Sequence, residues 1–121
     1  ESEKTLTIID FKTGKFHKEN WPSHPTLLNY KLQLEFYKLI LASSQKYKNY
    51  QVTSAVIDFV TPDEQGIIHQ KALDFNPKEY EQLRNLSAII YKKIKALEFP
   101  DISTYPSNIS GTKQFIADLL A

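Results

Sequence analysis

The stretch "TLTIIDFKTGK", residues 5–15, decides the fold and raises a chemical question. Its first five residues are β-branched or leucine, and Thr13-Gly14 is a turn signal, so residues 5–12 read as a strand. In an extended chain residues i and i+2 share a face, which makes Asp10 and Lys12 point the same way. Each charge is costly to bury alone, and a half-paired one is costlier than none. A strand end carrying both on one side should have a use for them.

Reading outward, residues 16–25, "FHKENWPSHP", form a polar, proline-bearing loop. Residues 26–46 follow as a long helix, with Tyr30, Leu34, Tyr37 and Leu41 on one stripe at spacings of four, three and four. "LQLEF" within it alternates like a strand, but its surroundings favour the helix. Residues 51–60, "QVTSAVIDFV", read as a strand; "TPDEQG" turns the chain, and residues 67–75 return as the second arm of a hairpin. Asn76-Pro77 with Glu79 starts a helix whose apolar face is Leu83, Leu86, Ile90, Ile94 and Leu97. An irregular stretch then leads to a short amphipathic helix after Ser110. No internal repeat interrupts this order of strand, helix, strand, strand, helix, short helix.

Composition narrows the function classes. A chain of 121 residues with 41% hydrophobic and 24% charged residues has the balance of one globular domain or part of one. No run of about 18 apolar residues could span a membrane, and no basic-apolar leader opens the chain, so the expected setting is cytoplasmic without a membrane partner. The absence of cysteine excludes disulfides, cysteine-ligated zinc and an iron–sulfur cluster. A net charge of +1 makes no general case for nucleic-acid binding, so such contact would rest on local clusters such as Lys12, Lys15 and Lys18, or Lys92, Lys93 and Lys95. Both clusters also read as ordinary solvated surface.

The chemistry gathers at two motifs. A carboxylate at a strand end can hold a divalent cation through oxygen, as magnesium requires. A lysine two residues on can orient water or stabilise charge growing on a phosphate. Asp10 and Lys12 thus suit metal-assisted phosphodiester hydrolysis, although D-x-K is also simply an exposed ion pair in many strands. Gln33 and Tyr37 lie four apart and project from one helical face, two polar tips on an otherwise apolar stripe.

Taken together, "IIDFKTGK" and "LQLEFY" resemble the PD-(D/E)XK nuclease superfamily, with the nearest likeness to the nuclease domains of RecB- and AddB-type recombination helicases and related UvrD/Rep-type helicases. The resemblance implies Asp10 as metal ligand, the Phe11 backbone carbonyl as a second ligand, Lys12 as catalytic lysine, and Gln33 and Tyr37 as helix partners at the site. It implies Mg2+ or Mn2+ as cofactor, DNA as substrate, and helicase domains of the same parent chain as partners in DNA repair or recombination. It also places a further metal-binding aspartate before Asp10, where nine residues contain none. The chain opens on "ESEK" and lacks methionine. The expectation is therefore the C-terminal portion of a single nuclease-like domain over residues 1–121, inactive alone. Its fold would be α/β, a mixed β-sheet flanked by helices, as a partial restriction-endonuclease-like core.

The remaining candidates have plainer readings. His17, His24 and His69 show no metal-ligand spacing and read as surface histidines. "KTGK" lacks the pattern of a phosphate-cradling loop. Phe16 and Trp21 could stack on a base or pin their loop to the core. Asp58 shares a strand face with Val56 and Val60, so it lies at an edge or is paired. The rival to a nuclease is a non-catalytic DNA- or protein-interaction module with a nuclease-like fold.

Overall fold

The computed structural model describes residues 4–16 and 25–121. The elements are β1 (Thr5–Lys12), α1 (Pro25–Ser43), β2 (Gln51–Phe59), β3 (His69–Leu73), α2 (Pro77–Ala96) and α3 (Ile109–Leu120). This is the expected order, and the fold is α/β with a mixed sheet. His17, Trp21 and His24 lie outside the described residues. The chain divides into two compact units, residues 1–76 and 77–121.

In the first unit the sheet order is β1-β2-β3. β1 and β2 run parallel, and parallel neighbours need a crossover, which α1 supplies. β2 and β3 pair antiparallel as the hairpin. A bulge decides which side chains meet: Leu6 pairs with Val52, but Thr7 pairs with Ser54, so Thr53 is skipped. The skip shifts the parity of β2, and Val52, Ala55, Ile57 and Phe59 all become buried. Opposite them on the same face lie Leu6, Ile8, Asp10 and Lys12.

That face makes the core. Ile8, Phe16, Leu34, Val52, Ala55, Ile57 and Phe59 form one buried cluster, with Tyr30, Tyr37 and Leu41 of α1 packed against it. Ile57, directly opposite Asp10, has no exposed surface. Phe16 is pinned into the core, its ring 5.3 Å from Phe59 and 4.6 Å from His69. On the other face Ile9 and Phe11 are exposed.

The hairpin turn is built around Asp63. Its Oδ1 accepts from the amides of Gln65 and Ile67 at 2.9 Å each, and its Oδ2 lies 2.8 Å from His69 Nε2. The His69 contact and then the Ile67 amide hold the Asp63 carboxyl below the ordinary aspartate range. Gly66 takes a positive φ of 79° to close the turn.

In the second unit α2 ends on Leu97, whose φ of 56° is left-handed. The amide of Glu98 donates to the Lys93 carbonyl at 2.9 Å and that of Leu97 to the Ile94 carbonyl at 3.1 Å. These two bonds make a Schellman cap without the usual glycine. Asn108 caps α3, its side chain accepting from the Gly111 amide at 3.0 Å. The apolar face read for α2 is only partly covered: Leu86 is buried, while Ile90, Ile94 and Leu97 are exposed. Helix α3 has 12 residues against the 20 of α2, about 18 Å against 30 Å.

Candidate active site

β1 delivers Asp10 and Lys12 to the core face, and the following turn is tied down where Thr61 Oγ1 donates to the Thr13 carbonyl at 2.7 Å. α1 crosses that face and presents Tyr30, Gln33 and Tyr37 on one stripe, three and four residues apart. The four side chains singled out in sequence meet in a continuous chain of polar contacts. Lys12 Nζ lies 2.7 Å from Asp10 Oδ2 and donates to Gln33 Oε1 at 2.5 Å. Gln33 Nε2 then donates to Tyr37 Oη at 2.7 Å.

Both charges at the end of β1 have a physical account in this geometry. The side chains of Lys12 and Asp10 are 17% and 15% exposed, so the pair is neither free in water nor sealed from it. Asp10 Oδ2 accepts no hydrogen bond; the ammonium meets it as an ion pair, outside hydrogen-bond angles. That oxygen keeps lone pairs available to a further electrophile. Lysine has three N–H donors. One goes to Gln33 and one side of the ammonium faces Asp10, which leaves donor capacity for a ligand.

Phe11 contributes through its backbone. Its side chain is exposed on the far face of the sheet. The Val60 amide donates to the Lys12 carbonyl at 3.0 Å, so that carbonyl points toward β2. Successive carbonyls alternate along a strand, and the Phe11 carbonyl therefore points to the outer edge of β1, which is the edge of the sheet.

Sequence reasoning missed Tyr30 as a site residue. Lys12 Nζ sits 4.6 Å from its ring centroid, and the same ring meets Phe59 edge-on at 6.3 Å. The ring thus packs the core and stabilises the ammonium through its π face. The stripe Tyr30, Gln33, Tyr37 carried the signal, but its spacing is equally that of a core face.

The other candidates fall elsewhere. His69 belongs to the hairpin, between Asp63 and the Phe16 ring. Asp58 is paired across strands on the opposite face, where Gln70 Nε2 donates to its Oδ2 at 2.9 Å.

A divalent ion of the magnesium class takes oxygen ligands. The Asp10 carboxylate, ion-paired to Lys12, and the edge carbonyl of Phe11 are oxygen donors of that chemistry. Among the described residues no three of His, Cys, Asp or Glu gather into a group that could hold a metal. Also among them, no helix is long and apolar enough to cross a membrane.

Comparison with protein families matches residues 1–108 to the PD-(D/E)XK nuclease superfamily. Searches of curated proteins and of solved structures return no match.

Proposed function

The chain belongs to the PD-(D/E)XK nuclease superfamily, and from that premise we propose that the β1–α1 relay is the active centre of Mg2+- or Mn2+-dependent cleavage of DNA phosphodiester bonds. The observation that carries this reading is the unbroken sequence of contacts Asp10–Lys12–Gln33–Tyr37 on the core face of the sheet. A structural ion pair would need no such extension.

Asp10 and the Phe11 carbonyl would hold the ion, which when bound activates water and neutralises charge on the scissile phosphate. Lys12 supplies a fixed positive charge beside the phosphate and a spare N–H for its oxygen or for the attacking water. Gln33 fixes the lysine in place. Because the Lys12 ammonium can only donate, it takes the Oε1 end of the amide and leaves Nε2 to donate to Tyr37. Tyr37 accepts from the far end of the amide and so bears on the position of the charge only indirectly.

The parent in this reading is a cytoplasmic helicase–nuclease of the RecB/AddB type acting in DNA repair or recombination, with residues 1–121 as the C-terminal portion of its nuclease domain. The D-F-K-T-G and Q-L-x-x-Y motifs support that placement. One observation favours the rival, a non-cutting interaction module: the described residues gather no group of three metal-ligating side chains. An ion held by one carboxylate and one carbonyl is held weakly, so the isolated chain should show no magnesium-dependent cleavage.

The deciding experiment compares DNA cleavage by the parent protein carrying Asp10→Ala, Lys12→Ala, Gln33→Ala or Tyr37→Ala. The first two should each lose ~10² to 10³ in rate, the usual effect of removing one group that stabilises developing charge. The other two should lose less, since neither supplies charge. Wild-type rates in Asp10→Ala and Lys12→Ala would make the pair structural and leave the interaction module.

A further inference from the structure

Between α1 and β2 the chain reads "SQKYKNY", residues 44–50, and it leaves the helix to form a set of turns. The Lys48 amide donates to the Ser44 carbonyl at 2.8 Å and the Tyr50 amide to the Tyr47 carbonyl at 2.8 Å. These bonds gather two tyrosines, their ring centroids 5.8 Å apart and nearly perpendicular. Lys46 Nζ lies 5.1 Å from the Tyr47 centroid and Lys4 Nζ 5.5 Å from that of Tyr50. Lys4, Lys46 and Lys48 are exposed, and no acidic residue occurs between Glu35 and Asp58. The turn is thus an exposed cationic surface carrying two aromatic rings.

Tyr47 has a second role as one wall of a cavity of about 430 Å³, lined also by Leu6, Ile8, Tyr37, Ile40 and Leu41. That volume falls in the range of small-ligand pockets. Tyr37, also in the lining, is the last member of the relay that begins at Lys12. The apolar cavity is therefore lined both by the end of the relay and by a ring of the cationic turn.

We propose that this cavity and the turn form a subsite for single-stranded nucleic acid, with an unstacked base in the cavity against Tyr47 and the adjoining phosphates on Lys46, Lys48 and Lys4. The inference rests on the nuclease reading for DNA as the substrate. It adds the form of DNA and its path. A base in a duplex already has its faces stacked and would leave an apolar, aromatic cavity empty, whereas an unpaired strand can fill it. Three exposed lysines, Lys46 and Lys48 of the turn and Lys4 against its Tyr50 ring, match the charge of a strand backbone.

The test is binding of the 121-residue chain to an oligo-dT and to a duplex of equal length, by fluorescence anisotropy in EDTA across a salt series. The single strand should bind more tightly. Tyr47→Leu keeps an apolar wall but loses the ring, and should weaken single-strand binding roughly 10-fold with the salt slope unchanged. Lys46→Gln with Lys48→Gln, both exposed and safe for the fold, should flatten that slope by about 1.4, or ~0.7 for each phosphate no longer neutralised. Equal affinity for the two DNA forms, or unchanged binding in both variants, would overturn the proposal. Cleavage by Asp10→Ala in the parent keeps the claims apart. Failure of the nuclease reading would leave that cleavage intact with the Tyr47 effect still present, whereas failure of the subsite would leave binding by Tyr47→Leu intact whatever Asp10 does.

Discussion

Gln33 has two chemically different amide ends: the donor-only ammonium of Lys12 takes the oxygen, and Tyr37 accepts from the nitrogen. Tyr37→Phe removes the acceptor of the Gln33 Nε2 hydrogen bond while keeping the ring in the core. Loss of such a bond should cost about 0.5–1.5 kcal/mol of stability, read as a shift of the chemical denaturation midpoint. Its effect on cleavage should fall short of that of Lys12→Ala. Asp63 offers a pH prediction at this scale. Its folded carboxyl is held below the ordinary range, first by the contact with His69. A depressed carboxylate stabilises the fold above its unfolded pKa and loses that contribution as pH falls through the folded value. Acid should therefore loosen the hairpin turn, and carboxyl NMR should show Asp63 titrating lower in the wild type than in His69→Phe, which keeps a ring beside Phe16. The four relay residues were legible because strand and helix periods put each pair on one face. Tyr30 was not, because a ring under an ammonium and a ring in a core have the same sequence signature. The buried Glu35, 3% exposed within "LQLEF", was hidden for a similar reason. It lies next to Leu34 on the covered side of α1, which a stripe of alternate turns does not single out.

Element ends carry the next predictions. Leu97 closes α2 in a left-handed conformation that costs a residue with a Cβ roughly 1–2 kcal/mol, and its side chain is 76% exposed. Leu97→Gly should therefore raise stability by about 1 kcal/mol, since little burial is lost and glycine suits the cap. A lower thermal midpoint would contradict that account. Gly111 is the opposite case. A Cβ there would stand 1.8 Å from the Pro106 carbonyl oxygen, a backbone atom. Gly111→Ala must displace the first turn of α3, at a cost of about 1–3 kcal/mol of the kind seen on overpacking. The elements themselves were legible from periodicity and punctuation: Gly14 follows β1, Asn76-Pro77 opens α2, and Gly66 lies in the turn between β2 and β3. Two features were not. The bulge at Leu6/Thr7 leaves no local mark, because it arises from matching buried positions on two strands. Periodicity carries the helix to residue 46, whereas α1 ends at Ser43, so the turn at residues 44–50 with its lysines and tyrosines does not stand out in the sequence.

For the whole chain, a net charge of +1 limits what electrostatics can supply. Affinity for DNA should be no better than the ~10⁻⁴ to 10⁻⁶ M of non-specific binders at physiological salt, falling with added salt. Submicromolar, sequence-selective binding would indicate a DNA-reading module in place of a nuclease cleft. The claim beneath every functional statement is that Asp10 and the Phe11 carbonyl form a cation site beside Lys12. Mn2+, a hard ion that takes the same oxygen ligands as Mg2+, reports its position by paramagnetic broadening of nearby NMR signals. Titrated into the 121-residue chain, it should first broaden the amide signals of Asp10, Phe11 and Lys12, and that broadening should vanish in Asp10→Ala. Sharp signals at residues 10–12 while exposed carboxylates elsewhere broaden, or the same pattern in Asp10→Ala, would contradict the account.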